Sequence, residues 1–157
     1  MRHVIVALME DKPGVLNRVA SLFRRRNFNI DSLAVGHSET PGISRMTIVV
    51  AGDDRTLEQV AKQLHKLINV TKVFDLSGAE SVERELALVK VHATPNNRTE
   101  VIELANIFRG SIIDVSPESL IIEITGTADK IDSLVELLRP YGVKELSRTG
   151  VLAIARG

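Results

Sequence analysis

Apolar and polar positions along the chain fall into blocks whose period changes from element to element. Residues 4–9 form a nearly unbroken apolar run, the pattern of a strand covered on both faces. Asp11-Lys12-Pro13-Gly14 is a turn signal, because Pro fixes one dihedral and Gly permits the others. Val15, Leu16, Val19, Ala20, Leu22 and Phe23 then recur at helical spacing, with Asn17, Arg18, Ser21 and Arg24 opposite. Residues 28–35 and 43–50 predict strands, joined by a Gly/Ser/Pro-containing loop over 38–42. Asp53 and Asp54 are N-cap candidates for a second helix whose apolar stripe is Leu57, Val60, Ala61, Leu64, Leu67 and Ile68. Residues 70–76 close the set as a strand, so the order is βαββαβ.

The second half repeats this order. Residues 85–93 predict a strand, and Asn97 with Glu100 has the spacing of a capping box. Val101, Ile102, Leu104, Ala105, Ile107 and Phe108 make the next helical stripe. Strands follow at 112–115 and 120–125. Thr127 can cap a helix that turns Ile131, Leu134, Val135 and Leu138 inward, and 143–155 is extended with a break at Gly150. The expected architecture is α+β: two ferredoxin-like βαββαβ units spanning 1–78 and 79–157, with the boundary near 77–83. Such a unit leaves one sheet face bare, and here both faces of 4–9 are apolar. Homodimerisation, the second domain, or both would cover it.

Composition narrows the function. Twenty Lys+Arg balance twenty Asp+Glu, which disfavours a general nucleic-acid binder. The βαββαβ order is shared with RNA-recognition modules, but those stack bases on strand aromatics, and 4–9 and 46–50 have none. With no Cys, disulfide scaffolds, thiolate metal sites and Cys nucleophiles drop out. No apolar run approaches the ~18 residues of a membrane span, and 4–9 is too short for a secretory core, so a cytoplasmic protein is expected. Gly-rich phosphate loops, HExxH and GxSxG do not occur. His3, His37, His65 and His92 lack ligand spacing and read as structural or solvated. Glu10-Asp11 and Asp53-Asp54 read as turn and capping carboxylates. Arg24-Arg25-Arg26 fits a solvated last helical turn that complements the dipole, or a docking patch for a partner protein.

The strand-to-helix junction at Asp11–Leu16 carries the remaining chemistry. First-turn N–H groups of a helix have no intrahelical acceptor and suit a carboxylate. Gly14 lets a ligand approach the backbone, Asp11 suits an ammonium, and Asn29 offers a donor and an acceptor. With Val15, Leu16 and Ile30 against its side chain, these groups suit a zwitterionic amino acid. A plain tight turn with Asn29 capping a loop explains the same spacing equally well.

At this junction the chain resembles the ACT-domain family of small-molecule sensors. Over its whole length it resembles the small regulatory subunits of acetolactate synthase (acetohydroxyacid synthase). The resemblance rests on GVLNRVASLFRRRNFNIDSL at 14–33, SRMT at 44–47 and LEQVAKQLHKL at 57–67. It continues through RELALVKV at 84–91, FRGSIIDV at 108–115, RTG at 148–150 and the final RG. It implies that the first unit is an ACT domain and the chain a non-catalytic, dimeric subunit. Such a subunit binds and stimulates a thiamine-diphosphate-dependent catalytic subunit and confers feedback inhibition by valine, sometimes leucine or isoleucine. By position, Gly14 and the following backbone would receive the effector carboxylate, with Pro13 part of the same effector-binding turn. Asn29 would bond the effector across the dimer interface, and Ala34 would line the pocket. Thiamine diphosphate, magnesium and FAD would belong to the catalytic partner, with no cofactor in this chain. Where the family commonly has Asn, this chain has Asp11, which bears on effector strength and identity. A stand-alone ACT sensor acting on another target, or a small enzyme on a ferredoxin-like scaffold, are the competing readings.

Overall fold

The computed structural model describes residues 2–26, 28–77 and 80–157. The first unit runs β1 (Arg2–Glu10), α1 (Val15–Arg26), β2 (Asn29–His37), β3 (Ile43–Ala51), α2 (Asp54–His65) and β4 (Val70–Asp75). Its sheet has the order β2-β3-β1-β4 with every neighbouring pair antiparallel. The second runs β5 (Ser81–His92), α3 (Arg98–Ile107), β6 (Ser111–Ser116), β7 (Ser119–Gly126), α4 (Ala128–Leu138), a 3-10 turn (Arg139–Tyr141) and β8 (Val143–Arg148). Its order, β6-β7-β5-β8, is the same arrangement, so the predicted α+β repeat is what the chain forms. A last strand, β9 (Leu152–Ala155), pairs with β5.

Period-2 alternation sends Ile5, Ala7 and Met9 of β1 and Met46, Ile48 and Val50 of β3 to one face. There they meet Val15, Val19, Leu22 and Phe23 of α1 and Val60 and Leu64 of α2. Each such large side chain contributes roughly 1.5–3 kcal/mol by leaving water. The second unit is built alike: Ala87, Val89 and Val91 with Leu120, Ile122 and Ile124 pack against Val101, Ala105, Ile131, Leu134, Val135 and Leu138. All four residues expected inward on α4 are buried, and Thr127 caps it by accepting from Lys130 N–H.

Several expected core positions are not core. Leu16 and Ala20 are exposed, because the core-facing stripe of α1 is narrower than its apolar run. Ile68 is 91% exposed and Ile107 72% exposed. Helix α2 ends at His65, three residues before Ile68, and Ile107 is the last residue of α3. The capping box at Asn97 does not form. Asn97 Oδ1 accepts from Thr94 N–H at 2.7 Å, and Glu100 accepts from the Tyr141 hydroxyl at 2.8 Å. Of the two aspartates before α2, Asp53 is the cap, accepting from Thr56 N–H at 2.8 Å, and Asp54 is the first helical residue.

The 78/79 boundary falls outside the described residues. The chain divides into Met1–Val82 with Val151–Gly157, and Glu83–Gly150. The tail that the sequence reading placed in the second domain thus groups with the first. The reason is polar anchoring on the sheet face turned away from the helices. Val151 N–H donates to Ser32 Oγ at 2.8 Å, Arg45 Nη2 donates to the Ala153 carbonyl at 2.8 Å, and Arg156 N–H donates to the Glu80 carbonyl at 3.0 Å. Val151 and Ala153 are buried. The tail therefore covers part of the face that the bare-sheet argument left open.

Candidate functional site

The junction after β1 is set by main-chain bonds. Asp11 N–H donates to the Gly42 carbonyl at 2.8 Å, tying the turn to the loop before β3. Gly14 has φ +87°, a left-handed backbone that disfavours side chains, and no atom lies within 4 Å of where its Cβ would stand. The Val15 N–H is taken by the Lys12 carbonyl, and helical bonding starts with Arg18 N–H to Gly14 C=O at 3.0 Å. The amides of Leu16 and Asn17 have no acceptor among the described residues. They are the exposed donors that the sequence reading expects at this helix start.

Beside this turn lies the far end of β2. His37 Nδ1 is 3.2 Å from the Asp11 carboxylate, both side chains being solvent-accessible. Next to Asp11, Lys12 pairs with Glu10 at 2.6 Å and holds its carboxyl below the usual glutamate range. A cavity of about 200 Å³ opens nearby, lined by Ala34 to His37, Arg45, Thr47 and tail residues Leu152, Ala153 and Ile154. Its walls are mainly apolar, and the Arg45 guanidinium within it donates to Ala153.

The structure brings together Asp11, Pro13, Gly14 and Leu16, and it places Ala34 on the cavity wall. Val15 is buried in the helix-side core and Ile30 is packed against it, so neither side chain is free to line a ligand. Asn29 is exposed but lies at the opposite end of the sheet. It pairs with Ala51, which pairs with Arg2, whereas His37 pairs with Ser44 and Glu10 with Ile43. At about 3.3 Å per residue, the run of β2 separates Asn29 from His37 by roughly 25 Å. Within one chain, Asn29 and Asp11 cannot share a ligand. Sequence reasoning missed His37, because its neighbour Asp11 lies in another element and the imidazole appears as an isolated residue.

His3 is buried with Nε2 3.0 Å from the Gly52 carbonyl, a structural role. Among the described residues no group of three or more His, Cys, Asp or Glu is placed to hold a metal ion, and no helix is long and apolar enough to cross a membrane.

Two antiparallel βαββαβ units, the first with a strand–turn–helix junction after β1, are the ferredoxin-like arrangement of the ACT-domain class. Residues 5–72 match the family model described as AHAS small subunit-like ACT domain, and residues 84–157 match that of the small subunit of acetolactate synthase. The chain belongs to the acetolactate synthase small-subunit family. It is 60% identical over 156 residues to the probable acetolactate synthase small subunit of Methanothermobacter thermautotrophicus, covering 99% of this chain and 93% of that one. It is 47% identical to the acetolactate synthase small subunit of Bacillus subtilis, covering 100% and 92%. The crystal structure of the Thermotoga maritima acetolactate synthase small subunit superposes with a TM-score of 0.92 at 48% identity, covering 100% of this chain and 98% of that one.

Proposed function

We propose that this chain is the regulatory subunit of acetolactate synthase. It binds the thiamine-diphosphate-dependent catalytic subunit, raises its activity and makes it sensitive to a branched-chain amino acid, valine foremost. It carries out no chemistry itself, and thiamine diphosphate, magnesium and FAD are held by the catalytic partner. The observation that carries this reading is kinship with acetolactate synthase small subunits along the whole chain, rather than over one domain.

The effector site is the Asp11–Asn17 turn. The Leu16 and Asn17 amides take the effector carboxylate beside Gly14, where no side chain intervenes. Asp11 faces the ammonium, with the His37 imidazole in contact with the same carboxylate. Asn29 comes from a second copy. Strand β2 lies at the sheet edge, and two copies paired antiparallel along it would set residue 29 of one against residue 37 of the other. That arrangement resolves the ~25 Å separation within one chain. Effector binding then favours one pairing of the two sheets, and a coupling of about 1–3 kcal/mol to the catalytic subunit gives strong feedback.

Reconstitution tests this. Added to the catalytic subunit, the chain should raise the rate of pyruvate condensation, and valine should lower it again. A catalytic subunit indifferent to the chain would leave the stand-alone sensor as the better reading.

A further inference from the structure

Charge in the first unit is segregated by layer. Of the eleven basic residues in 1–78, seven lie on its two helices or at their ends: Arg18, Arg24, Arg25, Arg26, Arg55, Lys62 and Lys66. All seven are exposed, and none forms an ion pair among the described residues. Helix α1 has no acidic residue at all. Asp54 and Glu58 are the only acids within α2, and Asp53 caps it. The other acids of this unit, Glu10, Asp11, Asp31, Glu39 and Asp75, sit on strands and turns.

Helical periodicity gives this layer a shape. On α2 the core side is fixed by Leu57, Val60 and Leu64, which puts Arg55, Lys62 and Lys66, with Glu58 as the one acid among them, in one stripe on the outward side. The three consecutive arginines end α1 at the Asn29 end of the sheet, away from Gly14. Lys66 and the fully solvated Ile68 lie at the other end, where Arg18 also bonds Asn69. One or two cations would suffice to complement the dipole of α1. The fold does not demand such a layer, because the equivalent helices α3 and α4 with their caps carry Arg98, Lys130 and Arg139 against Glu100, Glu103, Asp129, Asp132 and Glu136, and Arg139 is paired with Glu136.

We propose that the helix layer of the first unit, Arg24–Arg26 of α1 with Arg55 and Lys62 of α2 and Lys66 at its C-cap, is a docking surface for an acidic face of the catalytic subunit. This rests on the regulatory reading above and extends it by naming the surface and its partner's charge. The partner is a protein rather than a nucleic acid, because the outward helix positions present no aromatic side chain for base stacking and the chain as a whole is neutral. It is not a lipid surface either. The apolar stripes of both helices are largely consumed by the core, and the large apolar groups left exposed in this layer, Leu16 and Ile68, are two isolated side chains rather than an amphipathic stripe. Edge-to-edge pairing of two copies would put both helix layers on the same side of the joined sheet, doubling the cationic area. A surface of exposed charges acts mainly on encounter rate and falls off with salt.

The test uses the full-length chain and the purified catalytic subunit. Binding is measured at low and at physiological salt for the parent, for Arg24→Glu/Arg25→Glu, for Lys62→Glu/Lys66→Glu and for Arg24→Lys/Arg25→Lys. Valine titration of each variant alone and its thermal melt serve as controls. The expected result is a parent affinity that weakens with salt, a loss of about tenfold or more in each reversal, largely in association rate, and near-parent binding in the lysine pair. Valine binding and melting should stay at parent values. Reversal variants that bind the catalytic subunit within about twofold of the parent would overturn the proposal while leaving the regulatory function standing. So would a change confined to self-association, or to binding of anionic vesicles or RNA. A parent that does not bind the catalytic subunit at all would overturn both.

Discussion

The Asp11 carboxylate lies 3.2 Å from His37 Nδ1, linking the turn after β1 to the end of edge strand β2. At the proposed effector site this contact matters more than either residue alone. A bare carboxylate at position 11 would repel the effector carboxylate, and the imidazole reduces that repulsion. His37→Ala should weaken valine binding by about two- to fivefold, the scale of an exposed charge contact. Asp11→Asn in the same background should weaken binding further, since the ammonium then loses its carboxylate partner as well. Calorimetric titration of the two variants decides it; unchanged affinity in His37→Ala would remove the imidazole from the site.

Gly14→Asp should abolish the valine response while preserving stimulation of the catalytic subunit. Space for the side chain exists, so the fold survives. The φ of +87° makes any side chain strained there, at a cost of about 1 kcal/mol, and aspartate tolerates that region better than most residues. The loss of response would come from a charge placed where the proposed site receives the effector carboxylate. Steady-state condensation rates with and without valine, beside a thermal melt, separate the two effects.

In the second unit, Glu85 is buried, with Arg148 donating to both of its carboxylate oxygens and also to Asp132. The pairing with Glu85 raises the Arg148 pKa further. Glu85→Ala leaves the guanidinium with one solvent-facing partner. Arg148 retains some exposure, so the cost should be about 2–3 kcal/mol, below the ~3–5 of a fully buried pair. Urea denaturation measures it, and a loss under about 0.5 kcal/mol, the scale of a surface substitution, would mean the pair is mere surface decoration.

Acid stability follows from three carboxylates. The Thr56 N–H holds the Asp53 carboxyl below its usual range, and Lys12 and Lys90 do the same for Glu10 and Glu145. A depressed folded pKa means the stabilisation is fully present above the ordinary carboxylate values, about 3.9–4.3, and is lost as pH falls through the folded ones. Urea midpoints should therefore be flat in this respect from pH 7 to about 5 and decline below about pH 4. Asp53→Asn, which keeps an acceptor but cannot titrate, should decline less steeply in that window. Parallel curves for parent and variant would contradict the cap's role.

Much of this was legible in the residues. The period changes at 4–9, 15–23 and 43–50 and their repetition after residue 84 fixed the order of elements, because each half must hide one stripe per helix and one face per sheet. Helix ends were less legible. Ile68 and Ile107 continue an apolar spacing past the point where the backbone stops being helical, and spacing alone cannot register that. Leu16 reads as core because it is apolar, yet α1 turns it outward. The Asp11–Gly14 turn stood out because Pro and Gly have fixed conformational meanings. His37 and the tail anchors Ser32 and Arg45 did not, since each meets its partner through register set by the whole sheet. Asn29 was placed beside Asp11 by adjacency of elements, but parallel β1 and β2 put the start of one far from the end of the other.

The most direct measurement exploits that separation. Gly14→Asp and Asn29→Ala chains are each expected to lose valine binding as homodimers, Asn29→Ala by about 1–3 kcal/mol through the missing polar partner. Mixed and allowed to exchange, they form heterodimers in which one of the two sites has an intact Gly14 from one chain and an intact Asn29 from the other. The mixture should regain valine binding at up to one site per heterodimer, with the parent's affinity. A mixture that binds no better than its two components would mean that the site is built within a single chain, or elsewhere.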